Sequence, residues 1–154
     1  MYVFLLVLHS LVRWLVLVML LYAVYRGIRG WRSGSLFTVI DERIRHITAT
    51  VAHVQLMIGY VLYFTSPLVK YFRGHYAEAL RQPDSRFFGM IHVLLMTLAV
   101  IVVTIGSAMA KRKKTATAKF RTMTCWYIAA LVIIFLAIPW PFSPLAKRPF
   151  IRNF

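Results

Sequence analysis

Four runs of predominantly apolar residues, at 2–25, 44–68, 87–110 and 123–140, constrain this chain more than any other feature. A run of about 20 such residues is what one α-helix needs to cross a hydrocarbon core about 30 Å thick. Nothing in that core hydrogen-bonds an exposed backbone, so only helices or a closed barrel can span it. None of the runs alternates with the two-residue period of a barrel strand, and each is too apolar all round to lie flat on a membrane surface. The expected fold is therefore an all-α integral membrane protein, a single four-transmembrane-helix antiparallel bundle over residues 1–154. The first run lacks a basic leading segment and is followed by Arg26 and Arg29 rather than a small-residue cleavage site, so it reads as a mature span and not as a secretory signal.

The formal charge of +15 is informative through its distribution. Arg26, Arg29, Arg32 and Arg43 lie between the first two runs with Arg45 at the edge of the second, and Lys111, Arg112, Lys113, Lys114, Lys119 and Arg121 lie between the last two. Lys70, Arg73, Arg81 and Arg86 fall on the other side, together with Lys147, Arg148 and Arg152 of the tail. The larger group marks the cytoplasmic side and predicts both termini outside. The Lys111 to Lys114 cluster is read as an anchor for anionic lipid headgroups, and no nucleic-acid partner is expected. Gly27, Gly30, Ser33, Gly34 and Ser35 are expected to break the first connection, and Ser66-Pro67 to close the second helix. A short interfacial helix is expected within 71–80. Ile138-Pro139-Trp140-Pro141-Phe142 ends the fourth helix, because two prolines so close together interrupt its hydrogen bonding.

Three spans carry a histidine: His9, His53 and His92. An ionisable side chain in hydrocarbon is a functional candidate by default. Counting about 1.5 Å of rise per residue places His9 about 10 Å and His92 about 8 Å from the outer ends of their spans. His53 lies about 13 Å in from the other side, nearer the bilayer middle. Two histidines at one depth on facing helices can clamp a haem iron from both sides, and a four-helix bundle is a usual scaffold for such a site. His9 with His92 is the expected axial pair, and His53 is the further candidate. The residues on the His92 face, Met96, Ala99, Val103 and Gly106, suit either close helix packing or a flat ring. Gln55 and the threonines Thr48, Thr50, Thr65, Thr97 and Thr104 are expected to bond across helices or back to their own carbonyls.

Arg13 follows His9 by one helical turn. An arginine at the centre of a span costs about 2.5–3.5 kcal/mol on insertion scales and normally faces the bundle interior. The four acids, Asp41, Glu42, Glu78 and Asp84, all fall in the expected loops. Its counterpart is then a set of backbone carbonyls, an anionic cofactor group such as a haem propionate, a quinone carbonyl, a lipid phosphate or another subunit, unless it snorkels to the interface. The single cysteine, Cys125, excludes an internal disulfide, a covalent haem attachment and an iron–sulfur cluster held by this chain alone. No zinc-hydrolase pattern, nucleophile elbow or phosphate loop is present, so no catalytic residue is assigned.

Several segments resemble a group of small bacterial four-helix membrane proteins labelled cytochrome b-like. The matching residues are His9-Ser10 with Arg13-Trp14, Ala52-His53-Val54-Gln55-Leu56 with Gly59 and Leu62-Tyr63-Phe64, Thr104-Ile105-Gly106, and Ile138-Pro139-Trp140-Pro141-Phe142. Where that group has Glu-His-Pro opening the third helix, this chain has Ile91-His92-Val93. The resemblance implies haem b and residence in the bacterial inner membrane. The leading expectation is a b-type haem electron-transfer protein, or the membrane anchor of a respiratory complex, possessing no catalytic activity of its own and exchanging electrons with quinone. The alternatives are a cofactor-free accessory subunit among other membrane subunits and, third, a small proton-coupled transporter.

Overall fold

The computed structural model describes residues 1–141, and its regular structure within that range is all helical. The basic tail residues Lys147, Arg148 and Arg152, and Phe142 of the proline motif, lie outside the described residues. Helix α1 runs Tyr2–Ser33 and α2 runs Val39–Thr65. The short helices α3 (Pro67–Gly74), α4 (Tyr76–Ala79) and α5 (Pro83–Arg86) follow. One π-helical turn over Phe87–Ile91 then leads into α6 (His92–Arg112), and α7 runs Ala116–Ala137. Four helical stretches, Tyr2–Ser33, Val39–Thr65, Pro83–Arg112 and Ala116–Ala137, are long and apolar enough to cross a membrane.

The boundaries differ from the expected ones for local reasons. Gly27 and Gly30 do not break α1; both are buried inside it, and the space a Cβ would need is taken by Thr124 and Phe120 of α7. They are contact residues that let two helices approach closely. α1 ends instead at Gly34, whose φ of 63° is the left-handed conformation glycine adopts without steric cost. α2 starts five residues before the apolar run because Thr38 and Asp41 form a capping box: Asp41 N donates to Thr38 Oγ1, and Thr38 N donates to Asp41 Oδ2 at 2.9 Å. Asp41 also receives Arg26 Nη2 at 2.7 Å. All four acids therefore sit in helical first turns or short helices rather than in loops. Ser66 ends α2 and caps α3, as Ser66-Pro67 predicts, while the 71–80 segment divides between α3 and α4. α7 begins at Ala116, seven residues early, because Thr115 Oγ1 accepts from Ala118 N and starts the helix in polar sequence.

α1 packs on α2 and α7, and α6 packs on α7 and α2, so α1 and α6 face each other diagonally across the bundle. α6 and α7 meet closely at Gly106, where Trp126 occupies the space of the missing side chain. The core is built from residues such as Leu20, Ala52, Val103, Met123 and Ala130. One end of this core is polar. Arg45, 5% exposed, donates to the backbone oxygen of Ser107 at 3.0 Å, to Ser107 Oγ and to Glu42. The Tyr127 hydroxyl donates to the Arg45 carbonyl at 2.7 Å, tying α7 to α2.

Candidate functional site

The opposite half of the bundle is open between the same helices. A cavity of about 340 Å³ lies there, lined by α1, α2 and α6, by Leu68 and Val69 of α3 and by Ile134 of α7. α1 contributes His9, Ser10 and Arg13; α2 contributes Gln55, Gly59 and Tyr63; α6 contributes His92 and Met96. Leu6, Val16, Leu56, Val100 and Ile134 make the remaining wall largely apolar.

His9 and His92 face each other across it. Their ring centroids are 6.4 Å apart and their planes are inclined at 70°. Each ring is oriented by its own neighbours. His92 Nδ1 lies 2.8 Å from the Ala137 carbonyl at the end of α7. A carbonyl can only accept, so in the neutral ring the proton sits on Nδ1 and the Nε2 lone pair is left available. Phe87 and Phe88 flank the same ring, with centroids at 5.6 and 6.0 Å. The π turn that precedes His92 is held from α2, since the Tyr63 hydroxyl donates to Gly89 O at 3.0 Å, and from α3, whose Phe72 ring lies against Gly89 where a Cβ would be. Such turns shift the register of one helical face by a residue and recur at functional sites.

The His9 ring sits over Gly59: a Cβ there would come 3.3 Å from His9 Cε1. Gln55 Nε2 donates to the His9 carbonyl at 2.9 Å, fastening α2 to α1 at this level. His9 Nδ1 and Gln55 Oε1 are both buried and make no hydrogen bond among the described residues. Buried polar atoms are almost always bonded, so these are the atoms a ligand would engage. Arg13 lines the cavity one turn further in, with its guanidinium 5.3 Å from the centre of the Trp14 ring.

His53 is not brought to this cavity. It is exposed on the outer surface of the α2–α6 seam, and both ring nitrogens have partners: Nδ1 lies 2.7 Å from Ala49 O, and Nε2 lies 3.1 Å from Thr104 Oγ1. On the His92 face, Met96 reaches the cavity, whereas Ala99, Val103 and Gly106 are buried in helix packing. Thr50, Thr65, Thr97 and Thr104 bond back to carbonyls in their own helices, as threonines in spans are expected to do. His46 and His75 are exposed. No cluster of three or more metal-ligating side chains occurs among the described residues, which leaves the histidine pair as the candidate for holding a metal.

Sequence reasoning missed Tyr63, Gly89 and the two phenylalanines as supports of His92, and Gly59 as the seat of His9. A glycine and a tyrosine at four-residue spacing, Gly59 and Tyr63, marked that face of α2, but the π turn depends on packing that no local pattern encodes. Arg45 was counted only as a topology charge, although Glu42 three residues earlier signalled a local pair.

Fold and cavity together define a small helical membrane protein with a pair of opposed intramembrane imidazoles. The chain matches no protein-family model, no curated protein and no solved structure.

Proposed function

We propose that this chain is a membrane haem protein of the b type, with His9 and His92 as the axial ligands, that carries electrons alone or as the anchor of a redox complex. The observation that supports this reading is the opposition of the two rings across the cavity. Two imidazoles sharing one metal atom at about 2.0–2.1 Å per nitrogen have ring centres roughly 6 Å apart. The separation here is 6.4 Å. The residues fit in three other respects: the His92 tautomer fixed by Ala137 O presents a lone pair, His9 has a buried nitrogen without a hydrogen bond, and the wall is apolar with few polar groups.

A haem bound there supplies a one-electron redox centre. The chain's own residues orient it and set its surroundings. Phe72, Gly89 and Tyr63 hold the turn that aims His92, Gly59 leaves room for His9, and Arg13 provides a fixed positive charge suited to a carboxylate such as a propionate. Residence in the bacterial inner membrane with both ends outside belongs to the same reading. It is supported by the shared location of the two most basic segments: Arg121 of α7 lies 5.7 Å from the Trp31 ring near the end of α1. Quinone and other membrane subunits are the proposed electron partners.

The test is a reduced-minus-oxidised absorbance spectrum of protein purified from haem-replete cells, in wild type and in His53→Leu. Both should show the sharp bands of a b-type haem at equal haem content, because His53 points out of the cavity and is already bonded. Folded, colourless wild-type protein would remove the proposal, and loss of the bands in His53→Leu would move the ligand to α2.

A further inference from the structure

At the end of the bundle away from the cavity lies a second concavity. It has a volume of about 470 Å³ and lies between Trp31 at the end of α1, Met109 and Lys113 at the end of α6, and Arg121, Cys125 and Trp126 of α7. We propose that this groove binds the headgroup of an anionic phospholipid, with Lys113 and Arg121 taking the phosphate and Met109, Cys125 and Trp126 flanking the start of the acyl chains.

Charge selects the ligand's sign. None of the chain's four acids lines the groove. Asp41 is taken by Arg26, and Glu42 by Arg45, with Lys111 and Lys119 also within its electrostatic reach. Lys113 and Arg121 are exposed and no acid offsets them in the groove, so its charge is positive. Arg121 is also positioned, its guanidinium held 5.7 Å from the Trp31 ring centre, which leaves the planar fork of donors less mobile than a free surface arginine. Thr117 and Thr122 add hydroxyls beside it.

Polarity selects an amphiphile over a free ion. The groove passes from the two cations to the exposed Cys125 and the partly exposed Met109 and Trp126, which lie on spanning helices. Tryptophans at such a level mark the headgroup boundary of a bilayer. Basic pockets between spanning helices on the cytoplasmic side suit anionic headgroups, and this one sets an apolar flank beside its charge.

Native mass spectrometry of the detergent-solubilised protein, titrated with phosphatidylglycerol or phosphatidylcholine, tests the assignment. Phosphatidylglycerol should bind more tightly. Lys113→Gln and Arg121→Gln should each weaken it about fivefold, and the pair about twenty-five-fold, as expected for about one headgroup interaction per cation. Arg43→Gln and Lys119→Gln carry the same charge change outside the groove and should leave the affinity as it is. Equal binding of the two lipids, an equal loss in the Arg43 variant, or displacement of the lipid by millimolar inorganic phosphate would overturn the proposal. Should a variant fail to fold, wild-type protein in vesicles decides: brominated phosphatidylglycerol should quench tryptophan fluorescence more than brominated phosphatidylcholine, and equal quenching contradicts the site.

Discussion

Replacing either His9 or His92 by leucine is expected to lower the haem content of purified protein by about tenfold or more, since even the loss of a group that merely orients a ligand costs about 10–100-fold in metal affinity. The two single variants should behave alike, because the rings contribute symmetrically from α1 and α6. Leucine preserves bulk and suits the apolar wall, so helix content and gel-filtration behaviour should stay those of the wild type. Haem quantified per folded protein checks this. A His92→Leu protein that keeps a full complement of haem would show that the ligand pair lies elsewhere.

The second large effect is expected at the other end of the bundle. Arg45 joins α2 to α6 through Ser107 and holds Glu42 on its own helix, while its carbonyl receives Tyr127 from α7. Removing one partner of a buried ion pair typically costs about 3–5 kcal/mol, and Arg45→Leu should fall at the lower end, about 3 kcal/mol, because Glu42 is only half-buried. Adding Glu42→Gln to Arg45→Leu should recover part of that loss, since no uncompensated carboxylate then remains. Thermal unfolding in detergent measures both, and an unchanged midpoint in Arg45→Leu would contradict the network's role. Haem absorbance in this variant, read below its unfolding temperature, should be retained, because the polar end and the cavity are separate.

The number of spanning helices was legible in the apolar runs, because lipid leaves the backbone so few options. Their ends were less legible. Gly27 and Gly30 read as breakers in isolation, yet in contact with Thr124 and Phe120 the absence of a Cβ is what allows α1 to continue along α7. The early start of α2 was written in Thr38 and Asp41, but polar capping residues lie outside the hydropathy signal that defined the span.

The site divides in the same way. Rise per residue along two helices is enough to see that His9 and His92 lie at one level, and the structure brings their rings together. Depth says nothing of helix rotation, however, so the outward direction of His53 was invisible until α2 was packed on α6. The supports of His92 were out of reach for a further reason: a π turn arises from the fit of Gly89 under Phe72 and of Tyr63 against its carbonyl, contacts between segments about 17 to 26 residues apart.

The ring planes provide the most direct test of the haem reading. Electron paramagnetic resonance of the oxidised, haem-loaded wild-type protein reports both the identity of the axial ligands and their mutual orientation. With His9 and His92 inclined at 70°, the expected result is a low-spin ferric signal of the strongly anisotropic kind that near-perpendicular imidazoles produce. A high-spin signal, or protein that takes up no haem, would contradict it.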